Sequence, residues 1–467
     1  MTGIIVLIVY TLLMIGATLL FTKKTNSSES FHVADRKIGT VVGAMSIAAT
    51  WIWAPSLFVS AEKAYTSGLP GIFWFLVPNV LCLIIFIPFA KLMRKKYPEG
   101  ITLTGFMAKT YNSSKVNKAY SFQLGALSVL STAVQLLAGG KMLSAITGLP
   151  FWSVTIILAG IAYSYSRFSG LKASIATDVA QLGIILLGCA LIVPWCVGKS
   201  GGIDTLLSGL GSITGEHTSL TSASGLSVFL SFGLPTAVGL ISGPFGDQCF
   251  WQRTFAIRKE KLGKSFFIGA LLFGIVPLTM SLIGFAAAGK GFIPSDVGMV
   301  NMEFITSLLP SWVLIPFLLM ILSGLLSTVD SNLCAAASMT TDLKVTGKLK
   351  NTDNIKLSRA VMLVLLFASI LIANIPGLTV THLFLFYGTL RASTLLPTVI
   401  TLLGKKLHAK GVYLGIIASL CIGLPIFAVG NIFNISLYKT VGSLITVLLS
   451  GIVALAVSRK EASRCQN

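Results

Sequence analysis

The chain has 467 residues, of which 54% are hydrophobic and only 11% are charged. Soluble domains carry about a quarter of their residues as charge, so this composition excludes an ordinary cytosolic enzyme and a disordered chain. Lys and Arg number 35 against 15 Asp and Glu, but so apolar a chain is not a nucleic-acid binder. The sequence therefore predicts an all-α polytopic membrane protein without a nucleic-acid partner.

Apolar stretches of about 20 residues, the length that crosses a bilayer, recur along the whole chain. They lie near residues 3–21, 38–64, 71–93, 119–147, 151–166, 171–198, 226–246, 265–289, 311–338, 357–375, 379–403, 411–430 and 438–457. We expect about 13 transmembrane helices in a single domain over residues 1–467. The first stretch has no basic residues before it and no small-residue cleavage site, so it is predicted to be a retained helix and not a signal peptide.

Basic residues collect in alternate loops. Most Lys and Arg lie in loops such as 22–37, 91–118 and 344–359, whereas the intervening loops hold isolated lysines such as Lys199 and Lys290. Because cytoplasmic loops carry the excess of positive charge, the N-terminus is predicted outside and the C-terminus inside. The net positive charge is then explained by topology and by contact with anionic lipid of a cell membrane.

Two of the spans contain helix breakers. The second has Pro55 near its middle, and the seventh contains Pro235, Gly239 and Pro244. Proline removes a backbone donor, and carbonyls freed at membrane depth need a partner in protein, water or a bound ion. A plain proline kink explains either span alone.

The two interrupted spans are five apart in the chain, which is the spacing of an inverted repeat whose halves each open on a broken helix. This predicts a first repeat over 38–198 and a second over 226–403. The helix at 1–21 precedes them as an extra N-terminal helix, and two C-terminal helices at 411–457 follow.

Polar residues at membrane depth mark the candidate site. The ninth span carries Ser327, Thr328 and Asp330, and an intramembrane carboxylate is costly unless it is paired or functional. Hydroxyls together with carbonyls of a broken helix suit Na⁺, a cation that takes oxygen ligands. The eleventh span contains Arg391, which we expect to form a structural ion pair with Asp330; contact with a solute is the alternative.

Five segments in order resemble one known family. They are Glu29–Arg36 after the first span, Ala48–Ala54 in the broken helix, Ser169–Gln181, Asp247–Arg253, and Ser327–Leu333 followed by Thr341-Asp342-Leu343. On these segments the chain resembles the sodium/solute symporter family over essentially its whole length. The resemblance implies a LeuT-type 5+5 inverted repeat and Na⁺-coupled uptake by alternating access.

The resemblance also implies an ion site. Its sodium ligands would be the backbone carbonyls and hydroxyls of Ala49, Ile52, Gly324, Ser327 and Thr328. Asp178 would lie on the exit path of the ion toward the cytoplasm, although a helix-end charge beside Lys172 explains Asp178 equally well.

The solute is less well defined by the sequence. Sugar-carrying members of the family use a Gln near the position of Ser56 and a Lys in the eighth span, where this chain has none after Lys264. The Trp51–Pro55 and Asp247–Gln252 strings are similar to the urea-permease-like branch, in which Asp247 would accept amide hydrogens. The candidate solute-binding residues are Trp53, Ser56, Asp247, Gln248, Trp251 and Arg391, although the tryptophans could equally be packing or interfacial residues.

The leading hypothesis is a secondary active transporter, and not an enzyme, that takes up a small polar organic solute with Na⁺ as its coupling ion. A urea-like molecule is one option for the solute. A proton-coupled or uncoupled transporter of the same fold, or a transporter-derived membrane sensor, remains open. A monomer suffices for this mechanism, and an oligomer is not excluded.

Overall fold

A computed structural model describes residues 2–21, 27–342, 354–405 and 407–464. Within these ranges the chain is helical apart from its loops and one isolated bridge between Ile38 and Ile257. Some residues that entered the predictions above lie outside the described ranges. They are Lys23, Lys24, Lys406 and residues 343–353, which belong to the ninth-span motif and the basic loop after it.

The helices follow the predicted spans, and some spans are divided into two or more helices. In chain order they are α1 Thr2–Phe21, α2 Ser28–Val33, α3 Thr40–Trp51, α4 Ala54–Leu57, α5 Val59–Lys96, α6 Leu103–Tyr111, α7 Ser114–Thr147, α8 Phe151–Ser169, α9 Leu171–Ser200, α10 Gly202–Ser208, α11 Ala223–Val228, α12 Leu234–Ile241, α13 Gln248–Ala256, α14 Leu262–Gly289, α15 Val300–Leu308, α16 Leu314–Met339, α17 Asn354–Ala373, α18 Val380–Ala392, α19 Leu395–Leu402, α20 Ala409–Ala418, α21 Leu424–Ile432 and α22 Ser436–Arg464.

Among the described residues, 11 helices are long and apolar enough to cross a membrane. The all-helical membrane class is therefore confirmed, while the predicted number of spans and the orientation of the termini stay predictions. The second predicted span is not among the eleven because it is broken, with only 12 residues in α3 and the rest in α4 and the start of α5. The boundary predicted between the second and third spans lies within α5, whose 38 residues form two helices joined by a kink at Gly68, with a non-helical φ of 56°. The fifth predicted span, α8, is the other one not among the eleven.

The break in the second span is confirmed. Helix α3 ends at Trp51, and Ile52 and Trp53 are extended, with ψ values of 90° and 175°. Helix α4 then begins with Pro55 in its first turn, where a missing N–H costs no helical hydrogen bond. The side-chain oxygen of Gln135 on α7 accepts from the backbone N–H of Ala54 at 2.7 Å, so a neighbouring helix satisfies the restarted end.

The seventh span, by contrast, is not broken at Pro235. Helix α11 continues through a wide turn, Phe229–Gly233, directly into α12. The N–H of Leu234 bonds to the carbonyl of Phe229 in this turn, and such local widening accommodates the N–H that proline lacks. The helix stops only after Ile241, and a non-helical turn at 242–247 leads to α13.

Helix α16 lies at the centre of the bundle. Every residue from Met320 to Ser338 is buried, and the helix packs against α7 and α9. Helices α12 and α18 cross closely at two glycines, since a Cβ built on Gly239 would lie 2.9 Å from the Cα of Gly388. The broken α3–α4 segment packs against α16, and α4 also contacts α18.

Candidate functional site

Oxygen atoms converge where the broken second span meets α16. The Thr328 hydroxyl lies 3.3 Å from the carbonyl oxygen of Thr50, 3.4 Å from that of Ile52 and 3.3 Å from that of Gly324. The last carbonyls of a helix have no partner within it, so the end of α3 presents them to a neighbour. A Cβ built on Gly324 would lie 2.7 Å from Leu57, and glycine therefore permits this close approach.

Asp178 lies beside this group and is fully buried. Its Oδ1 accepts a hydrogen bond from Ser327 at 2.6 Å. Its Oδ2 accepts from Ser46 at 2.6 Å and from Arg253 Nη2 at 2.9 Å. The predicted ion-site hydroxyl of Ser327 is therefore joined directly to a buried ion pair.

The alternative interpretation of Asp178, a helix-end charge beside Lys172, is wrong. Lys172 pairs instead with Asp35, at 2.6 Å, near the start of α9. Asp178 lies about two turns further along that helix, inside the bundle, where Arg253 is its basic partner.

Arg253 is a buried residue that the sequence analysis missed. Its side chain is 1% exposed, and no role was predicted for it. It occupies the last turn of α13, and besides Asp178 it donates to Ser46 at 2.9 Å and to Ser331 at 2.8 Å. The only signal in the sequence was the Gln-Arg pair that ends the Asp247–Arg253 segment.

The predicted ion pair between Asp330 and Arg391 is also wrong. Asp330 accepts hydrogen bonds from Ser174 at 2.7 Å and Thr177 at 3.2 Å, because this face of α16 is turned toward α9. Arg391 on α18 pairs with Asp247 instead, at 3.1 Å.

Arg391 is surrounded by aromatic rings. The guanidinium carbon lies 5.1 Å from the ring centroid of Trp51, 5.0 Å from that of Trp53 and 4.8 Å from that of Tyr387. Arginine stacks favourably on such faces. The structure thus brings together three of the predicted solute-binding residues, Trp53, Asp247 and Arg391, and we call these with Trp51 and Tyr387 the arginine cage.

The other predicted solute-binding residues have structural contacts elsewhere. Gln248 donates to the carbonyl of Ile101 at 3.0 Å. Trp251 donates from Nε1 to the carbonyl of Phe245 at 2.8 Å and packs among phenylalanines. Ser56 is fully buried in α4, and its hydroxyl donates to the backbone carbonyl of Trp51 at 3.5 Å. We leave these three out of the proposed solute site.

A cavity of about 790 Å³ opens on the side of the bundle predicted to be extracellular. We call it the vestibule, and its ionisable lining residues are Glu62, Lys63, Lys141, Asp296, His382 and Lys439. Lys63 pairs with Glu62 at 2.9 Å and Lys141 with Asp296 at 3.1 Å. Lys439 donates to the side chain of Asn434.

The opposite side is held closed by polar contacts. Arg36 donates to the carbonyl of Gly100 at 2.9 Å, which ties the segment before α3 to the loop before α6. Asp342, beyond the end of α16, accepts from Thr102 at 2.6 Å and also from Thr104. Burial raises the pKa of the Asp342 carboxyl to about 6, against the lowering effect of these two hydroxyls.

Comparison with known proteins identifies the family. The profile of the Sodium:solute symporter family matches residues 31–419. The chain belongs to this family. The symporter is 24% identical to the sodium/pantothenate symporter of Escherichia coli K12 over 98% of this chain and 96% of that protein. It is 22% identical to the urea-proton symporter DUR3 of Oryza sativa subsp. japonica over 93% of this chain, and it spans 66% of that relative's length.

A solved structure confirms the fold. The substrate-bound, outward-open state of a Na⁺-coupled sialic acid symporter superimposes with a TM-score of 0.79 at 17% identity, covering 98% of both chains. The symporter is therefore a multi-pass cell-membrane protein with a LeuT-type fold, and its family is one of secondary active solute symporters.

Proposed function

We propose that the protein couples the inward movement of Na⁺ to the uptake of a small polar organic solute by alternating access. The observation that supports the coupling ion is the Thr328 hydroxyl, which lies within 3.4 Å of carbonyls of Thr50, Ile52 and Gly324. Na⁺ would be bound as cargo by the carbonyls of Ala49, Ile52 and Gly324 and the hydroxyls of Ser327 and Thr328. The ion would leave past Asp178.

The proposed driving force is electrochemical. A membrane potential of about 100 mV contributes roughly 2.3 kcal/mol for each net charge moved inward. The proposal includes the 5+5 repeat over 38–198 and 226–403, the N-terminus outside and the C-terminus inside. The vestibule and the closing contacts of Arg36 and Asp342 on the opposite side are those expected of an outward-facing conformation.

The test is a thermal-shift titration of the detergent-purified protein with NaCl against KCl at equal ionic strength. A ligand that binds the native state stabilises it by mass action, by about 1.4 kcal/mol at ten times its Kd. Thr328→Ala should abolish the Na⁺-specific rise in melting temperature. The control is Ser323→Ala, which removes a hydroxyl one turn earlier on α16 that donates to the carbonyl of Leu319. An unchanged Na⁺ response in Thr328→Ala would refute the ion site.

Proton coupling is the second candidate, since one relative is named a urea-proton symporter. Asp330 favours it, because this buried carboxylate forms no ion pair among the residues described here and accepts hydrogen bonds from Ser174 and Thr177. In proteoliposomes, solute uptake that is driven by a pH gradient in the absence of Na⁺ would favour proton coupling over Na⁺ coupling.

A further inference from the structure

The guanidinium of Arg391 has donors that nothing in the described structure accepts. Its Nη2 bonds to Asp247, but Nε and Nη1 are buried without a hydrogen-bond partner among the described residues. Buried polar groups are almost always hydrogen-bonded, and a charged donor is the least tolerant of being left alone. Two such donors on one side chain point to a ligand.

The neighbouring rings of the arginine cage share this property. Within the described part of the chain, Trp53 Nε1 and the Tyr387 hydroxyl are also buried and unpartnered. The two ring centroids are 5.2 Å apart, and both lie within 5.0 Å of the Arg391 guanidinium carbon. Stacking on the rings compensates the face of the guanidinium, but its N–H groups lie in the plane and still need acceptors.

Asp247 does not supply the missing acceptor. Its Oδ2 already accepts from Arg391 Nη2 at 3.1 Å, and its Oδ1 accepts from the backbone N–H of Cys249 at 2.9 Å as the N-cap of α13. Three of the four unpartnered groups, Arg391 Nε and Nη1 and Trp53 Nε1, can only donate. The ligand that completes the cage must therefore bring acceptors rather than donors.

We propose that the transported solute carries a carboxylate, and that Arg391 binds it through Nε and Nη1 with Trp53 Nε1 as a further donor. The proposal rests on the function proposed above and names its solute class. An arginine fork matches the two oxygens of a carboxylate. A urea-like solute would instead bring more N–H donors than acceptors to a site whose unpartnered groups are mostly donors.

The vestibule supports an anionic solute independently. Two of its three lysines have carboxylate partners, whereas Lys439 forms no ion pair within the described ranges. One uncompensated positive charge at the mouth of a cavity attracts anions.

The vestibule and the cage are also neighbours along one helix. Leu385 of α18 lines the vestibule, and Arg391 follows six residues later, about 9 Å along the axis. The ring of Phe384, next to Leu385, packs on the cage, 5.5 Å from Trp53 and 6.2 Å from Tyr387. A carboxylate entering from the vestibule therefore meets the cage next.

The experiment measures melting temperature in NaCl or KCl with matched acids and amides: pantothenate, butyrate and benzoate, and the primary amides butyramide and benzamide, with urea. We expect at least one acid to raise the melting temperature in NaCl while its amide does not. The double variant Asp247→Asn/Arg391→Gln removes both charges and leaves none unpaired. It should keep the response to Na⁺ alone and lose the response to the acid. Arg391→Lys keeps the positive charge but lacks the two parallel N–H donors of the guanidinium. We expect its apparent affinity for the acid, from the concentration dependence of the melting temperature, to be at least tenfold weaker.

The outcomes separate the two proposals. Stabilisation by amides or urea, or no Na⁺-dependent response to any acid, overturns the carboxylate assignment when Na⁺ alone still stabilises the protein. An acid response that survives in the double variant also overturns it. A wild-type protein that does not respond to Na⁺ overturns the proposed function instead.

Discussion

Replacing Asp178 with Asn removes a carboxylate to which three side chains donate. Arg253 would be left buried with its hydrogen bonds to Ser46 and Ser331 and without its ion-pair partner. Removing one partner of a buried ion pair costs about 3–5 kcal/mol. Because the hydroxyls of Ser46 and Ser331 would still accept hydrogen bonds from Arg253, we expect the free energy of unfolding to fall by an amount near the lower limit, about 3 kcal/mol.

The assay is equilibrium unfolding in mixed detergent and SDS micelles, followed by tryptophan fluorescence. The double variant Asp178→Asn/Arg253→Gln removes both charges, so its loss should be smaller than the sum of the two single losses. The control is Glu461→Gln, which neutralises the partly exposed pair with Lys410 at 3.6 Å; such pairs contribute about 0–1 kcal/mol. Additive single losses, or a cost of Asp178→Asn no larger than that of the control, would refute the buried-pair reasoning.

Two further predictions concern the closed side and the packing of α12. The Asp342 pKa is raised to about 6 from 3.8, so the folded protein binds this proton more tightly than the unfolded chain does. The free energy of unfolding of the wild-type protein should therefore fall by up to about 3 kcal/mol as the pH rises from 4 to 7. In Asp342→Asn the free energy of unfolding should depend less on pH over this range. A pH dependence as steep as that of the wild-type protein would contradict the role of Asp342. Gly239→Ala should lower the free energy of unfolding by about 1–3 kcal/mol, because the added Cβ overpacks against Gly388. It should also slow solute uptake. The control is Gly160→Ala, whose Cβ meets no atom within 4 Å. In a thermal-shift assay Gly239→Ala should lower the melting temperature and Gly160→Ala should leave it unchanged.

Local signals in the sequence predicted the helices well. Length and hydropathy gave the spans because a bilayer demands about 20 apolar residues, and Pro55 marked the break in the second span. Pro235 misled because a widened turn at 229–233 absorbs the missing donor. The actual end of that helix lies nearer Pro244, in the non-helical turn at 242–247.

The pairing of the buried charges could not be predicted from the sequence. Asp178, Asp247, Asp330, Arg253 and Arg391 allow several pairings, and which one forms depends on how the helices face one another. A charge on an apolar helix identifies the element but not its rotation about the axis. The resemblance gave positions for the ion site, and the structure brings Thr328 to the carbonyls of the broken helix.

The hydrogen bond from Ser327 to Asp178 has a consequence for the strength of cation binding. A hydroxyl has one proton, and here it is committed to a carboxylate at 2.6 Å. Both lone pairs of the Ser327 oxygen are then directed away from Asp178 and are made more electron-rich by the negative charge behind the proton. In the proposed site, Asp178 would thus polarise a neutral ligand toward the cation, and Na⁺ affinity would depend on a residue that does not touch the ion.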